Sequence, residues 1–383
     1  MYLNMAYKTK ITLENTRNSD FPKNREIRFS SDISPSSAPY TPFFLSSPYL
    51  LYKMTLPPLT KVASALNHPA TLLATSAAAV SLTANDTTAA LSLNDVKLRF
   101  LVAFFVINFG SVSWPGRLDG ELAQQIAAEK RGTKAPKRSP LAVNGGRTLV
   151  APAPWAFAIW GAIYMLETAG VLYIASLRSP APALADLLQD TAPYFFLACS
   201  AQALWCCSFR SKYVTGSLLA RSLSTIYLVS TSASLSKVHA LVTAKRASLT
   251  RLQFAVMFFG TSLHFGWTAA ASLVNINGAL AYSEVSLNLQ KNVGFASVFV
   301  ALALAGGVSL GGGGPTVPLV LAWALKAVSD GMKQRLEGAR QGNLVGAQTM
   351  KALSLTGSAV CLALGACGFF LSSDSGAWSW AWI

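Results

Sequence analysis

The sequence predicts an all-α protein, a polytopic transmembrane helical bundle of about seven or eight spans. Two features of composition indicate lipid rather than water: 52% of the 383 residues are hydrophobic and only 12% are charged, whereas soluble domains carry roughly a quarter of charged residues. The third observation is spacing, because long apolar runs recur at the length of about 20 residues that a helix needs to cross a bilayer. These observations exclude an ordinary soluble enzyme.

Eight apolar runs are the candidate spans, and together they predict a membrane domain over residues 96–372. The runs are Val96–Trp114, Val150–Leu177, Thr191–Phe209, Val214–Ser236, Leu252–Tyr282, Lys291–Leu310, Pro315–Val328 and Lys351–Leu371. The seventh run is the shortest, and the C-terminus would change sides if it or the eighth run did not span. Between the sixth and seventh runs, Gly311–Gly314 predicts a tight turn.

The residues outside this membrane domain differ from it in composition. Residues 1–95 are predicted to be a disordered N-terminal extension, polar and rich in Pro and Ser at first and then rich in Ala, Ser, Thr and Leu. The second part resembles an organellar targeting region, which favours a plastid or mitochondrial membrane. Residues 373–383 contain three tryptophans, and they are predicted to form an interfacial tail among the lipid headgroups.

The net charge of +15 would suggest nucleic acid as the partner of a soluble protein. Here the basic residues lie between the apolar runs, and the densest cluster extends from Lys130 to Arg138 in the first loop. Basic loop residues orient spanning helices and contact anionic headgroups. The predicted partner is therefore the lipid bilayer and not a nucleic acid. The odd-numbered loops carry more Lys and Arg and should face the cytosol, stroma or matrix.

No pattern typical of catalysis or metal binding occurs along the chain. The five cysteines lie inside apolar runs and form no CxxC pair, so neither a zinc site nor a disulfide framework is indicated. No motif places a nucleophile beside a base, and the glycine-rich stretch lacks the Lys-Ser/Thr of a phosphate-binding loop. We therefore expect no catalytic residue, no metal and no cofactor, and a protein that is not an enzyme.

The second span carries aromatic residues on one face. Phe157, Trp160 and Tyr164 are spaced i, i+3 and i+7, Glu167 follows one turn later, and Trp155 precedes them near the start of the helix. An acidic residue at membrane depth usually faces the bundle interior or a water-filled cavity. The face is therefore a candidate pocket wall. The alternative is an aromatic packing seam without a ligand.

The fifth span carries a second polar face. His264, Trp267, Ala271 and Asn275 occur at i, i+3, i+7 and i+11. Polar side chains inside a membrane prefer hydrogen-bond partners on neighbouring helices. A ligand pocket lined by this face and by the aromatic face of the second span is one prediction, and interhelical hydrogen bonding without a ligand is the other.

Two segments resemble the tryptophan-rich sensory protein family, the TspO/translocator-protein group, and especially its longer relatives. The first is Thr148–Tyr164, TLVAPAPWAFAIWGAIY, and the second is His264–Leu280, HFGWTAAASLVNINGAL, in the expected order. The resemblance covers roughly residues 96–328. Compact members of the group have five spans, fewer than predicted here, and their adjacent Pro-Pro pair is separated by Ala153 in this chain.

The resemblance implies a receptor or carrier that binds a flat hydrophobic molecule, such as a porphyrin or a sterol, in an intramembrane pocket. By the same resemblance, the pocket candidates are Trp155, Phe157, Trp160 and Tyr164, with Trp267 and Asn275 opposite. Glu167 and His264 join this set from the two helical faces described above. A homodimer is a further expectation.

Two other functions remain open at this stage. One is a secondary transporter of a small solute, in which Glu167, His264 and Lys326 would be the coupling groups. The other is a non-catalytic structural subunit of a membrane complex. For Lys326 the favoured interpretation is an interfacial ion pair with Asp330 at i+4.

Overall fold

The computed structural model describes residues 92–112, 148–214, 217–283, 285–338 and 346–373, and the structural statements below refer to these residues. Within them the regular secondary structure is entirely helical, and eight long helices follow one another along the chain. Each helix coincides with one of the eight apolar runs. The predicted all-α bundle is therefore confirmed.

The helices are numbered α1 to α8 in chain order. Helix α1 is α-helical over Leu93–Leu101, π-helical over Val102–Phe109 and α-helical again over Gly110–Val112, whereas α2 runs over Pro154–Ser176 with a 3-10 first turn. The others are α3 Pro182–Ser208, α4 Leu218–Ala244, α5 Arg251–Tyr282, α6 Leu287–Leu310, α7 Thr316–Gly338 and α8 Ala347–Ser373.

Three of these helices are long and apolar enough to cross a membrane by length and composition alone, namely α2, α6 and the Ala347–Leu371 portion of α8. The other five carry more polar side chains. Many of those side chains lie inside the bundle, as the buried Thr191, Ser224 and His264 illustrate. Polar groups that find partners between helices lower the hydropathy of a span without facing lipid.

Helices α3 and α7 extend well beyond the apolar runs that predicted them. Helix α3 begins at Pro182 rather than Thr191, and α7 ends at Gly338 rather than Val328. In both extensions the charged residues are mostly exposed, while apolar residues such as Met332 are buried. Hydropathy alone ended the predicted spans too early, because an amphipathic helix continues past its apolar run.

Helix α5 lies at the centre of the bundle, where it packs against α2, α4, α6 and α7. Phe254 and Phe258 in its first half belong to a hydrophobic cluster with α1, α2, α3 and α4. Phe265 and Trp267 belong to a second cluster, formed mainly with α6, α7 and α8. Because α5 contributes to both clusters, it joins them into one core.

Glycines allow α2 and α5 to lie unusually close together. A Cβ atom added to Gly170 would lie 2.7 Å from the Val256 carbonyl oxygen, and one added to Gly260 would lie 2.9 Å from the Glu167 backbone nitrogen. Small residues at helix crossings bring backbones together in membrane proteins. This crossing places the acidic side chain of Glu167 directly against α5.

The tight turn predicted at Gly311–Gly314 is present between α6 and α7. Gly312 has a φ of 75° and Gly314 a φ of 79°, the left-handed region that glycine adopts without steric cost. The Gly313 N–H donates to the Val308 carbonyl at 2.9 Å, which closes the end of α6. The turn allows α6 and α7 to pack side by side.

The two predicted end segments lie almost entirely outside the described residues. Of the extension 1–95, only residues 92–95 are described, and they belong to the start of α1, where the Ser92 hydroxyl caps the helix by accepting from the Asp95 N–H. Of the tail 373–383, only Ser373 is described, as the last residue of α8. The helices therefore begin before and end after the predicted limits of 96 and 372.

Candidate functional site

A cavity of about 430 Å³ lies at one end of the bundle. The helix ends that surround it are the start of α2, the end of α3, the start of α4 and the ends of α5 and α7, with α6 completing the wall. These helix ends lie on the side of the bundle where the odd-numbered loops connect α1 to α2, α3 to α4, α5 to α6 and α7 to α8. The volume falls within the range of roughly 300–1,000 Å³ that small-molecule sites occupy, and the wall is mostly apolar and aromatic, as in such sites.

Four of the eight predicted site residues line this cavity, namely Phe157, Trp160, Trp267 and Asn275. The Phe157 ring meets the Trp267 indole edge to face at 5.7 Å between centroids, and Trp160 meets the same indole at 6.2 Å. The structure thus brings the aromatic face of α2 onto the α5 residue that the sequence placed opposite it. The Trp267 Nε1 has no hydrogen-bond partner among the described residues.

Asn275 lies in the cavity wall, but its amide is already engaged. The Thr225 hydroxyl donates to Asn275 Oδ1 at 2.8 Å, and Asn275 Nδ2 lies 3.4 Å from the Ser224 hydroxyl. Both partners belong to α4, so this side chain joins α4 to α5. Of the two predictions for the polar face of α5, a ligand contact or a hydrogen bond between helices, the second describes the Asn275 amide. The residue still forms part of the cavity wall.

Glu167 and His264 form a buried pair and do not line the cavity. His264 Nδ1 and Glu167 Oε1 are hydrogen-bonded at 2.8 Å, and each side chain is 1% exposed. Glu167 Oε2 and His264 Nε2 have no partner within the described part of the chain. The ring of Trp160 contacts His264 edge to face at 5.6 Å, so the pair lies one side chain away from the cavity.

Tyr164 also lies outside the cavity lining, next to this pair. Its ring stacks on Trp160 with centroids 5.4 Å apart and planes 14° apart. Its hydroxyl accepts from Gln202 Nε2 at 3.1 Å. Gln202 was not predicted as a site residue, although a lone amide inside the apolar run of α3 is a signal for such an interior contact.

Trp155 points away from the predicted site. It is 37% exposed and meets the Trp323 ring edge to face at 4.6 Å. Trp323 Nε1–H donates in turn to the Ala156 carbonyl at 3.0 Å, which fastens α7 to the first turn of α2. Trp155 therefore belongs to a packing contact between helices and not to the cavity.

Lys326 forms the expected ion pair with Asp330, with Nζ and Oδ1 2.6 Å apart. The lysine side chain is 46% exposed, and neither residue lines the cavity. The interpretation as a local i, i+4 pair is confirmed. Within the described residues, no three His, Cys, Asp or Glu side chains come together as metal ligands would.

Two arginines that the sequence analysis did not propose as site residues also line the cavity. Arg221 of α4 donates from Nη1 to the Val214 carbonyl at 3.0 Å. Arg335 of α7 donates from Nη1 to the Thr148 carbonyl at 2.6 Å and from Nη2 to the Ala151 carbonyl at 3.5 Å. Arg335 was missed because it follows the predicted end of the seventh span.

The fold and the site define a polytopic helical-bundle protein with an aromatic cavity at one end. The TSPO-like protein family matches residues 141–364. The chain belongs to this family, and with its apolar helices it is an integral membrane protein. The match confirms the resemblance but corrects its extent from 96–328, because α1 lies outside it and most of α8 lies within it. Comparisons with curated proteins and with solved structures give no match.

Proposed function

We propose that the protein binds a flat hydrophobic molecule, of the tetrapyrrole or sterol type, in the cavity at the start of α2. The observation that carries the proposal is the convergence of Phe157, Trp160 and Trp267 on one cavity of about 430 Å³. Aromatic faces and edges pack favourably against a flat ring system. Membership of the TSPO-like family supports the same conclusion.

The indole of Trp267 adds a polar requirement. Its N–H lacks a partner among the described residues although the residue is buried. An unsatisfied buried donor costs about 1–3 kcal/mol. A ligand that presents an acceptor atom to this N–H would recover that free energy, so the proposed ligand is flat, mainly apolar and equipped with at least one acceptor.

Titration of the full-length protein in nanodiscs with protoporphyrin tests the proposal. The porphyrin absorbance should saturate, and intrinsic fluorescence should be quenched in parallel. Trp160→Ala and Trp267→Ala should each weaken binding by about tenfold or more, since each removes an aromatic contact and its buried area. Trp155→Ala is the matched control and should leave the affinity unchanged, because that ring lies outside the cavity.

Absorbance is the main readout because the chain contains nine tryptophans. Removing one of them alters the quenching signal even when the affinity stays the same. A titration that never saturates would contradict the proposal. Equal affinities of the wild type, Trp160→Ala and Trp267→Ala would do the same.

A proton-coupled transporter of a small solute is the second candidate, and the buried Glu167–His264 pair favours it. Ionisable residues inside membranes often belong to proton relays. Flux driven by a pH gradient into liposomes, abolished in Glu167→Gln, would support this candidate. Lys326, the third coupling group of this candidate, pairs with Asp330 and is 46% exposed, so the candidate depends mainly on the buried pair.

We further propose that the protein is a non-catalytic receptor or carrier, that it forms a homodimer, and that it resides in a plastid or mitochondrial membrane. The organelle follows from the composition of residues 1–95. Imaging of the full-length chain with a C-terminal fluorescent tag tests the location, and light scattering of the purified protein tests the dimer. Uniform signal in the secretory membranes, or a monomeric mass, would contradict these statements.

A further inference from the structure

The geometry points to an acidic ligand: the cavity takes a planar hydrophobic molecule that carries a carboxylate or similar acid group, which Arg221 and Arg335 bind at the end of the cavity near Tyr282. The aromatic wall formed by Phe157, Trp160 and Trp267 holds the apolar body. This inference rests on the proposed function, because it assigns a chemical class to the molecule in the same cavity.

The charge of the cavity is the first argument. Two guanidinium groups line it, and no aspartate or glutamate occurs among the described lining residues. The acids on α7 are engaged elsewhere: Asp330 pairs with Lys326 at 2.6 Å, and Glu337 lies 3.9 Å from Lys333. A partly buried cation without a counter-ion is unfavourable. The cavity therefore selects for a negatively charged group.

The contacts of the two arginines are the second argument. The hydrogen bonds found for them use neutral backbone carbonyls, at Val214 for Arg221 and at Thr148 and Ala151 for Arg335. These bonds fix the guanidinium groups in place but do not neutralise them. A guanidinium has five N–H donors, and the buried Arg221 Nε has no partner in the described part of the chain. Donors remain for a bound anion.

The balance of donors and acceptors is the third argument. Tyr282 and Trp267 line the same cavity, and the Tyr282 hydroxyl and the Trp267 Nε1 are both buried without a partner among the described residues. The amide oxygen of Asn275, the obvious acceptor, is occupied by Thr225. A surplus of donors suits an anion, which offers acceptors only.

The positions of these groups give the ligand an orientation. Residues of α5 line the cavity from Trp267 to Tyr282, a rise of about 22 Å along the helix axis at 1.5 Å per residue. Arg221 follows the start of α4 and Arg335 precedes the end of α7, so both lie toward the Tyr282 end. The acid group would therefore point to the odd-numbered loops and the flat body to the bundle centre.

Protoporphyrin and its dimethyl ester test this inference, because they share the ring and differ in the acid groups. Affinities are measured by absorbance in nanodiscs of neutral lipid, with the full-length wild type, Arg221→Gln, Arg335→Gln and Arg178→Gln. Arg178 is exposed in the connection between α2 and α3, at the opposite end of the bundle, and serves as the charge-matched control.

The wild type should bind the acid at least about tenfold more tightly than the ester, as expected for charge-assisted hydrogen bonds. Arg221→Gln and Arg335→Gln should each bring the ratio of acid to ester affinity close to one, and Arg178→Gln should keep the wild-type ratio. Because Arg335 also holds the Thr148 carbonyl, Arg335→Lys tests whether the charge alone restores acid binding in a folded protein.

The outcomes separate the two proposals. Equal affinity of the wild type for acid and ester overturns the inference but leaves the proposed function intact. A preference for the acid that survives in both arginine variants also overturns it. If neither compound binds, the proposed function itself fails.

Discussion

Removal of one partner from the buried Glu167–His264 pair should destabilise the protein strongly. In His264→Leu the carboxyl group loses its contact at 2.8 Å while its other oxygen already lacks a partner among the described residues. Breaking a buried pair in this way costs about 3–5 kcal/mol. Glu167→Leu should cost less, about 1–3 kcal/mol, because it leaves an imidazole nitrogen unpaired rather than a carboxyl group.

The double variant Glu167→Leu/His264→Leu should lose less free energy of unfolding than the sum of the two single variants. Since the side chains are in contact, we expect a coupling free energy of about 2 kcal/mol. The assay is equilibrium unfolding in mixed micelles of a nonionic detergent and dodecyl sulfate, followed by circular dichroism. Glu337→Leu, which removes an acid that is 66% exposed, is the control and should cost under about 0.5 kcal/mol. Additive single effects would refute the reasoning.

The remaining predictions concern a helix crossing, a turn and the membrane itself. Gly260→Ala places a Cβ 2.9 Å from the Glu167 nitrogen and should lower the free energy of unfolding by about 1–3 kcal/mol in the same assay. Gly161→Ala is the control and should leave that free energy unchanged, because nothing lies within 4 Å of the added Cβ. Equal effects of the two substitutions would contradict the close crossing of α2 and α5. Gly312→Ala at a φ of 75° should cost about 1–2 kcal/mol, and an unchanged unfolding midpoint would contradict the left-handed backbone at this turn. The full-length chain should stay in the pellet after alkaline carbonate extraction, and its release would contradict membrane integration.

The helix positions could be predicted because each long helix contains an apolar run of suitable length in the sequence. The starts and ends were less accurate where the helix continues as an amphipathic segment. Helix α6, for example, begins at Leu287 rather than at Lys291, with Ser286 as the capping residue. Hydropathy records the mean over a run, whereas the end of a helix depends on capping hydrogen bonds and on packing beyond the run.

The aromatic part of the site could be predicted from spacing, because Trp160 and Trp267 lie on helical faces with a period of 3.6 residues. Trp155 was added to the candidates by the family resemblance and not by spacing, and the structure places it against Trp323, outside the cavity lining. The segment Pro154–Ala158 is a 3-10 turn, in which three residues complete a turn, so the α-helical face does not extend back to Trp155. Arg335 could not be foreseen, since its position in the wall depends on how α7 crosses the start of α2.

The sequence distance between Glu167 and His264 has a consequence for biogenesis. The two residues are 97 positions apart, so α2 and α5 enter the membrane as separate segments before the pair can form. Until α5 packs against α2, the insertion machinery or neighbouring helices must shelter the Glu167 carboxyl group from lipid. A variant that delays the packing of α5 would prolong that exposure.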